Sequence, residues 1–382
     1  MRLSSLLLLL LAGGGVAVLA ALSPAPAGGR LIYVGTYTKD QSRGIYAFRF
    51  DEGTGKLVPV GLAAETRNPS FLVASPDGRY LFAVNEVADY DGAKSGSVTS
   101  FAIDPETGRL TPLSVQSSRG ADPCHLALDR TGKFLAVANY TGGSVAVLPV
   151  GPDGRLQPAA AFVQHRGRGA DPKRQEGPHA HQVAFSTDNR FLVVADLGLD
   201  QLVVYRFDAA TGALAPHDPP AVTLAAGSGP RHFVIHPDGT RAFVINELNS
   251  TITSLSWDST AGAFGAGPSV PTVPGGFEGR NSTAEIALHP GARFLYGSNR
   301  GHDSLAVFAV GAEGELKAVE TVPTRGKNPR HFAIHPGGRW LIAANQGAGN
   351  LAVYTVDAES GRLTPEGSLV PAPTPVCVVI IP

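Results

Sequence analysis

One short turn recurs seven times along the chain at intervals of about 50 residues: Gly55-Lys56-Leu57, Gly108-Arg109-Leu110, Gly154-Arg155-Leu156, Gly212-Ala213-Leu214, Gly262-Ala263-Phe264, Gly314-Glu315-Leu316 and Gly361-Arg362-Leu363. A second turn recurs six times, out of phase with the first. It is Ser75-Pro76-Asp77-Gly78, Asp129-Arg130-Thr131-Gly132, Ser186-Thr187-Asp188-Asn189, His236-Pro237-Asp238-Gly239, His289-Pro290-Gly291-Ala292 and His335-Pro336-Gly337-Gly338. Self-similarity at this period, with two turn signals per unit, marks a repeat array.

Within one unit, Phe71 to Ala74, Tyr80 to Val84, Ser97 to Ile103 and Leu110 to Val115 read as four short strands. Their Asp-Gly and Thr-Gly turns supply the positive φ that hairpins need. Four antiparallel strands cannot bury both faces alone. Radial stacking buries them, which predicts an all-β, seven-bladed β-propeller. No sustained helical periodicity follows residue 28. Leu31-Ile32-Tyr33-Val34 matches a second strand, and the missing first strand is Val376-Cys377-Val378-Val379-Ile380. A composite blade built from both termini therefore closes the ring and removes an unpaired edge.

The chain has 382 residues, 43% hydrophobic and 16% charged, as a globular core requires. A net charge of −1 gives no footing for a nucleic-acid partner. Cys124 and Cys377 form no disulfide framework and lack metal-ligand spacing, so both are expected as core thiols. Arg2, the apolar run Leu3 to Leu22 and then Ala25-Pro26-Ala27 have the pattern of an export signal. Residues 1–27 are read as that segment and 28–382 as the propeller. The expected location is periplasmic or secreted, or membrane-anchored if the segment stays uncleaved; no other membrane contact is expected.

Strand direction selects one mouth of the axial channel. First-strand starts bring Cys124-His125, His179, His181-Gln182, Arg231-His232, Ala284-Glu285 and Arg330-His331 there. Second-strand ends bring Asn85-Glu86, Asn139-Tyr140, Asp196, Asn246-Glu247, Asn299-Arg300 and Asn345-Gln346. His181, Arg231 and Arg330 share one repeat column; His125, His232, Glu285 and His331 share the next. His236, His289 and His335 fall at the opposite end and are expected to serve their turns. The Asn column suits strand-ending hydrogen bonds, with Asn299 and Asn345 kept as candidate ligand contacts. Clustered Arg, His and Glu around one axis must serve each other or a ligand. Arginines suit an anionic, oxygen-rich small molecule, and His with Glu supplies a proton acceptor. The basic loop His165 to Gly177 either guides an anion in or is simply solvated.

At these residues the chain resembles the lactonase family of seven-bladed propellers, which includes propeller-type 6-phosphogluconolactonases and fungal carboxymuconate-lactonizing enzymes. The motifs are Tyr33-Val34-Gly35-Thr36-Tyr37, Gln175-Glu176-Gly177-Pro178-His179-Ala180-His181, Gly229-Pro230-Arg231-His232, Ser298-Asn299-Arg300-Gly301-His302-Asp303-Ser304 and Asn328-Pro329-Arg330-His331-Phe332. The resemblance implies a catalytic set of His181 (or His179), Arg231, Glu247 and Arg300. Around it, His125, His179, His232, Glu285, Arg330, His331, Asn299 and Asn345 would bind substrate.

The leading expectation is metal-independent and cofactor-free hydrolysis of a sugar lactone or related cyclic ester. In it Arg231 and Arg300 hold an anionic group or oxyanion, and His181, oriented by Glu247, moves a proton. The resemblance also admits the reverse, lactonizing sense. Two other readings stand beside it: a metal-dependent lactonase using Glu86, Asp196, Asn246 and Glu247 around a hard cation, and a non-enzymatic binding propeller.

Overall fold

The computed structural model describes residues 28–38 and 41–382; the expected export segment, residues 1–27, lies outside them. Among the described residues, seven four-stranded antiparallel sheets are arranged as blades, and the only helical piece is a 3-10 turn at Tyr90–Gly92. Blade 1 is the composite. Its inner strand, Pro375–Ile380, pairs antiparallel with Arg30–Thr36, setting Val379 opposite Tyr33 and Val378 opposite Val34. Blades 2 to 7 follow in chain order. Their inner strands are Leu72–Ala74, Pro123–Leu128, Ala180–Phe185, Pro230–Ile235, Ser282–Leu288 and Pro329–Ile334. The second strands that run back to the mouth end at Asn85, Asn139, Asp196, Asn246, Arg300 and Asn345.

The core is divided among seven apolar wedges, each shared by two neighbouring blades. Phe191 and Val193 of blade 4 pack with Phe233, Val244 and Trp257 of blade 5. Trp340 and Ile342 of blade 7 pack with Ile32, Val34 and Phe50 across the closure. Burial of sheet faces at about 25 cal/mol per Å² therefore depends on the neighbouring blade being in place.

This arrangement explains the repeated Gly-x-Leu turn. Gly55 has φ +72°, and a side chain there would begin 2.4 Å from the Trp340 ring of blade 7. Gly154 stands in the same relation to Tyr80, Gly212 to Phe134, Gly262 to Phe191 and Gly361 to Phe294. Glycine is needed both for the left-handed turn and for the close approach of an aromatic ring on another blade.

The histidines of the second turn do lie at the opposite end of the inner strands. The Nδ1 of His289 and of His335 each accepts a turn N–H, from Gly291 and Gly337, both at 3.0 Å. Their Nε2 atoms reach the next blade: His289 lies 3.0 Å from Gly338 O and His335 2.9 Å from Glu52 Oε1. His236 likewise reaches Ala292 O at 3.3 Å.

Candidate active site at the channel mouth

Two repeat positions build the mouth. The first is a β-bulge at the start of the inner strand. In blade 5, Pro230 pairs with Asn246 and His232 with Ile245, leaving Arg231 as the extra residue. The same shift leaves Cys124 unpaired in blade 3, His181 in blade 4 and Arg330 in blade 7. A bulge bends the strand and re-aims a side chain without lengthening its partner. That is how one residue in each of these four blades is re-aimed.

The second position follows the strand-ending Asn. Asn139 Nδ2 donates to Ser118 O at 3.0 Å, Asn299 Nδ2 to Thr272 O at 2.9 Å and Asn345 Nδ2 to Thr324 O at 2.8 Å. Each bond ties the end of a second strand to the connection entering its blade. The residue one past that position stands at the mouth: Glu86, Tyr140, Glu247 and Arg300 after Asn85, Asn139, Asn246 and Asn299 in blades 2, 3, 5 and 6, and Tyr37 after Thr36 in blade 1. Together with Cys124, His181 and Arg330 from the bulges, and Arg174 from the loop between blades 3 and 4, these line a cavity of about 280 Å³. A larger hollow of about 830 Å³ opens at the turn end, but its charged residues include the surface pair Arg79–Asp77 and no buried cluster.

Guanidinium groups dominate the cavity. Glu247 is gripped by three of them. Arg174 Nη2 lies 2.6 Å from Oε1, while Arg231 Nε at 3.0 Å and Arg300 Nη2 at 2.8 Å share Oε2. Across the cavity Arg330 Nη2 donates to the Tyr37 hydroxyl at 2.9 Å, which stands 2.8 and 2.9 Å from the two oxygens of Glu86. Ser70 also donates to Glu86. Three arginines on the wall, with Arg231 just beneath, thus meet two carboxylates, so the cavity has positive charge to spare for an anion.

Below the cavity the channel is plugged. Glu285 Oε2 lies 3.0 Å from His232 Nδ1 and 3.3 Å from His331 Nε2. His125 stacks on Phe71 with ring centroids 4.0 Å apart, and its buried Nδ1 has no hydrogen-bond partner. Arg231 bridges the two levels, donating from Nη1 to Ala284 O at 2.7 Å and lying 3.4 Å from His232 Nε2.

Burial and charge together set the protonation states. Burial alone would raise Glu247, but Arg300, Arg231 and Arg174 overcome it and hold the carboxyl far below the usual range. It is a fixed anion and not a proton acceptor. His181 is pushed well below 6.5, first by burial, then by Arg231 and His232. It is neutral at physiological pH. Burial, Arg300 and Arg330 bring Arg231 down to about 9, still protonated at neutral pH. Burial raises Glu285, against the pull of His331 and Arg231. Burial also raises the Cys124 thiol well above its ordinary value, so it stays protonated.

Of the expected catalytic residues, His181, Glu247 and Arg300 meet around the cavity, joined by Arg330. Arg231 lies one level deeper, on a narrow crevice with His232 and His331. His125, His232, Glu285 and His331 belong to the plug. His179 stacks on Tyr140 at 4.5 Å and its Nδ1 lies 3.1 Å from Tyr140 O, so His181 is the histidine of the cavity wall. Asn299 and Asn345 are fully buried in their strand-end bonds and do not line the cavity. The expected orientation of His181 by Glu247 is not seen: the partners of the Glu247 oxygens are arginines. The His181 ring instead has Cys124 Sγ 3.9 Å from Nδ1.

Of the groups in the metal reading, Glu86 and Glu247 line the cavity but Asp196 and Asn246 do not. Asp196 accepts from the His179, Gly198 and Leu199 N–H groups and lies 2.6 Å from His165. Asn246 donates to Thr251 and Thr253. Among the described residues no group of three His, Cys, Asp or Glu side chains is disposed to hold a metal ion. Sequence reasoning brought Tyr140 to the mouth without giving it a role, quoted Tyr37 only within a motif, expected Cys124 as a core thiol, and left Arg174 within an undecided loop. The equivalence of Tyr37 with Tyr140 and Glu247, one residue past a repeated strand end, is the signal that would have placed Tyr37 at the mouth.

A propeller whose one mouth gathers arginines around a neutral histidine defines the class. Residues 31–380 match the family described as Lactonase, 7-bladed beta-propeller, and the chain belongs to that family. It is 38% identical over 348 residues to a Bacillus subtilis protein named 6-phosphogluconolactonase, covering 91% of this chain and 97% of the relative. It is 33% identical over 306 residues to a Formosa agariphila protein of the same name, covering 79% and 85%. Among solved structures, the Pseudomonas aeruginosa periplasmic gluconolactonase superposes with a TM-score of 0.87 at 36% identity, covering 93% of this chain and 99% of that one.

Proposed function

We propose that this protein hydrolyses a sugar lactone in the cavity at the channel mouth, without a metal. The observation that carries the reading is the pairing of an excess of guanidinium groups with a buried, neutral His181 on one cavity wall. The names of the relatives support the substrate class.

In this mechanism His181 accepts a proton from water as the water oxygen attacks the lactone carbonyl. Arg300 and Arg330, both on the cavity wall, stabilise the oxyanion that forms. The ring C–O bond then breaks, and His181 returns its proton to the departing ring oxygen, giving the open hydroxy acid. Arg231 and Glu247 act beneath and beside this chemistry. Glu247 is the fixed anion that holds the arginines in position, and Arg231 ties it to the plug.

The test is a panel of sugar lactones offered to the purified propeller, with and without a strong chelator. Turnover unaffected by the chelator is expected. Loss of turnover with chelation, restored by a divalent cation, would replace the mechanism with a metal-assisted one. Anion binding with no turnover on any lactone would favour the binding propeller.

Residues 1–27 are read as an export signal, in keeping with the periplasmic relative. A mature N-terminus near residue 28 in the exported fraction is the expected observation. The intact N-terminus in a cytoplasmic fraction would overturn it.

A further inference from the structure

The connection between blades 3 and 4 reaches the cavity as a latched loop. Gln175, fully buried, donates from Nε2 to Leu197 O at 2.8 Å and to Asp200 Oδ1 at 2.7 Å. Its backbone carbonyl accepts from Gly169 and its Oε1 from the Asp171 N–H, closing the loop on itself. Asp200 Oδ1 also accepts the Gly229 N–H at 2.7 Å, at the entry to the strand that carries Arg231. Gly198 permits the close return of the loop, since a side chain there would begin 1.9 Å from Gly177 O. Arg174, next to the latch, is therefore placed by the fold.

The three guanidiniums on Glu247 are not equivalent. The Arg231 and Arg300 side chains are 3% and 11% exposed, whereas that of Arg174 is 41% exposed at the rim. If Arg174 turned away, Glu247 would keep two partners. If either buried arginine did, a charge would be stranded out of water. A ligand anion arriving at the rim therefore recruits Arg174 most readily. A guanidinium meets a phosphate or carboxylate with two parallel hydrogen bonds, so it reads shape as well as charge.

We propose that Arg174 is the specificity-determining residue of this site. It reads a second anionic group, a phosphate or carboxylate, on the end of the sugar lactone remote from the ring ester. Arg300 and Arg330 serve the lactone carbonyl. The proposal rests on the sugar-lactone reading above and narrows it to doubly functionalised lactones.

The experiment compares wild type, Arg174→Ala and Arg174→Lys on gluconolactone, 6-phosphogluconolactone and a glucarolactone, with calorimetric titration of the three corresponding open acids. Wild type is expected to prefer one of the two lactones that carry the extra anion, and the arm it prefers identifies phosphate or carboxylate. In Arg174→Ala the kcat/KM ratio of that lactone over gluconolactone should fall about tenfold, with Arg174→Lys between. An unchanged ratio, or a wild type indifferent to the extra anion, would overturn the proposal. If no lactone is turned over, the hydrolase reading fails but the titrations still decide. Tighter binding of an acid with the extra anion than of gluconate, lost in Arg174→Ala, supports Arg174 as the anion reader. Equal binding of all three acids by wild type sinks it.

Discussion

The two ends of the propeller use the same residue type in opposite ways. At the turn end, His289 and His335 have both ring nitrogens engaged, one with their own turn and one with the next blade. At the mouth, the hydrogen-bond contact of the His181 ring is a sulfur 3.9 Å from Nδ1, and in the plug beneath it His125 keeps a buried nitrogen without a partner. Fully paired imidazoles stitch blades together. The incompletely paired His181, among guanidiniums on the cavity wall, is left able to act on something else. An open hydrogen-bonding position there is available to a ligand.

The sharpest way to break this contrast is His181→Ala. Loss of the proton acceptor should lower kcat by about 10²–10⁴ with a much smaller change in KM. Steady-state kinetics giving near wild-type kcat would remove His181 from the chemistry. Next in size is Glu247→Gln, which leaves the arginines without their common anion. Removing one partner of a buried ion cluster should cost about 3–5 kcal/mol of stability, read from denaturant unfolding. An unaltered midpoint would mean that the arginines do not depend on it.

Acid should then distinguish the two ends. His125, His181 and His232 are held well below 6.5, and His331 at about 4, with burial the leading cause in each. The unfolded chain binds these protons near pH 6.5 and the folded one does not, so their contribution is present above pH 6.5 and lost as pH falls. A single histidine so protected removes about 2 kcal/mol between pH 6.5 and 5. Unfolding free energies across that range should show the fall, and His125→Phe should make it shallower. A flat profile would contradict the described burial. The smallest effect belongs to the turn end. His289→Asn should lose about 1 kcal/mol of stability through one interblade hydrogen bond, with turnover unchanged. Loss of turnover at full stability would place that end in the function.

The fold was legible because each unit spells its own boundaries. Two glycine-bearing turns per period fix the hairpins, and their unequal number, seven against six, reveals the strand supplied by the other terminus. The placement of His181, Glu247 and Arg300 at the mouth was legible from their columns in the repeat, and the family resemblance singled them out. Arg174 was hidden for the opposite reason: it lies outside the repeat, on a loop whose placement depends on the buried Gln175 latch. The depth of Arg231 was hidden too, since counting from a turn gives a residue's column and not its level in a tapering channel. Cys124 was read by residue type as core, although its column was already that of His181 and Arg231.

The bulges have one consequence that concerns descent more than catalysis. Each re-aims a single side chain, while the wedges between blades are packed by other residues of the same strands. In the described chain those bulge positions hold a thiol, an imidazole and two guanidiniums on one backbone geometry. Selection can therefore rewrite what the ring recognises, one blade at a time, while leaving the apolar wedges between blades in place.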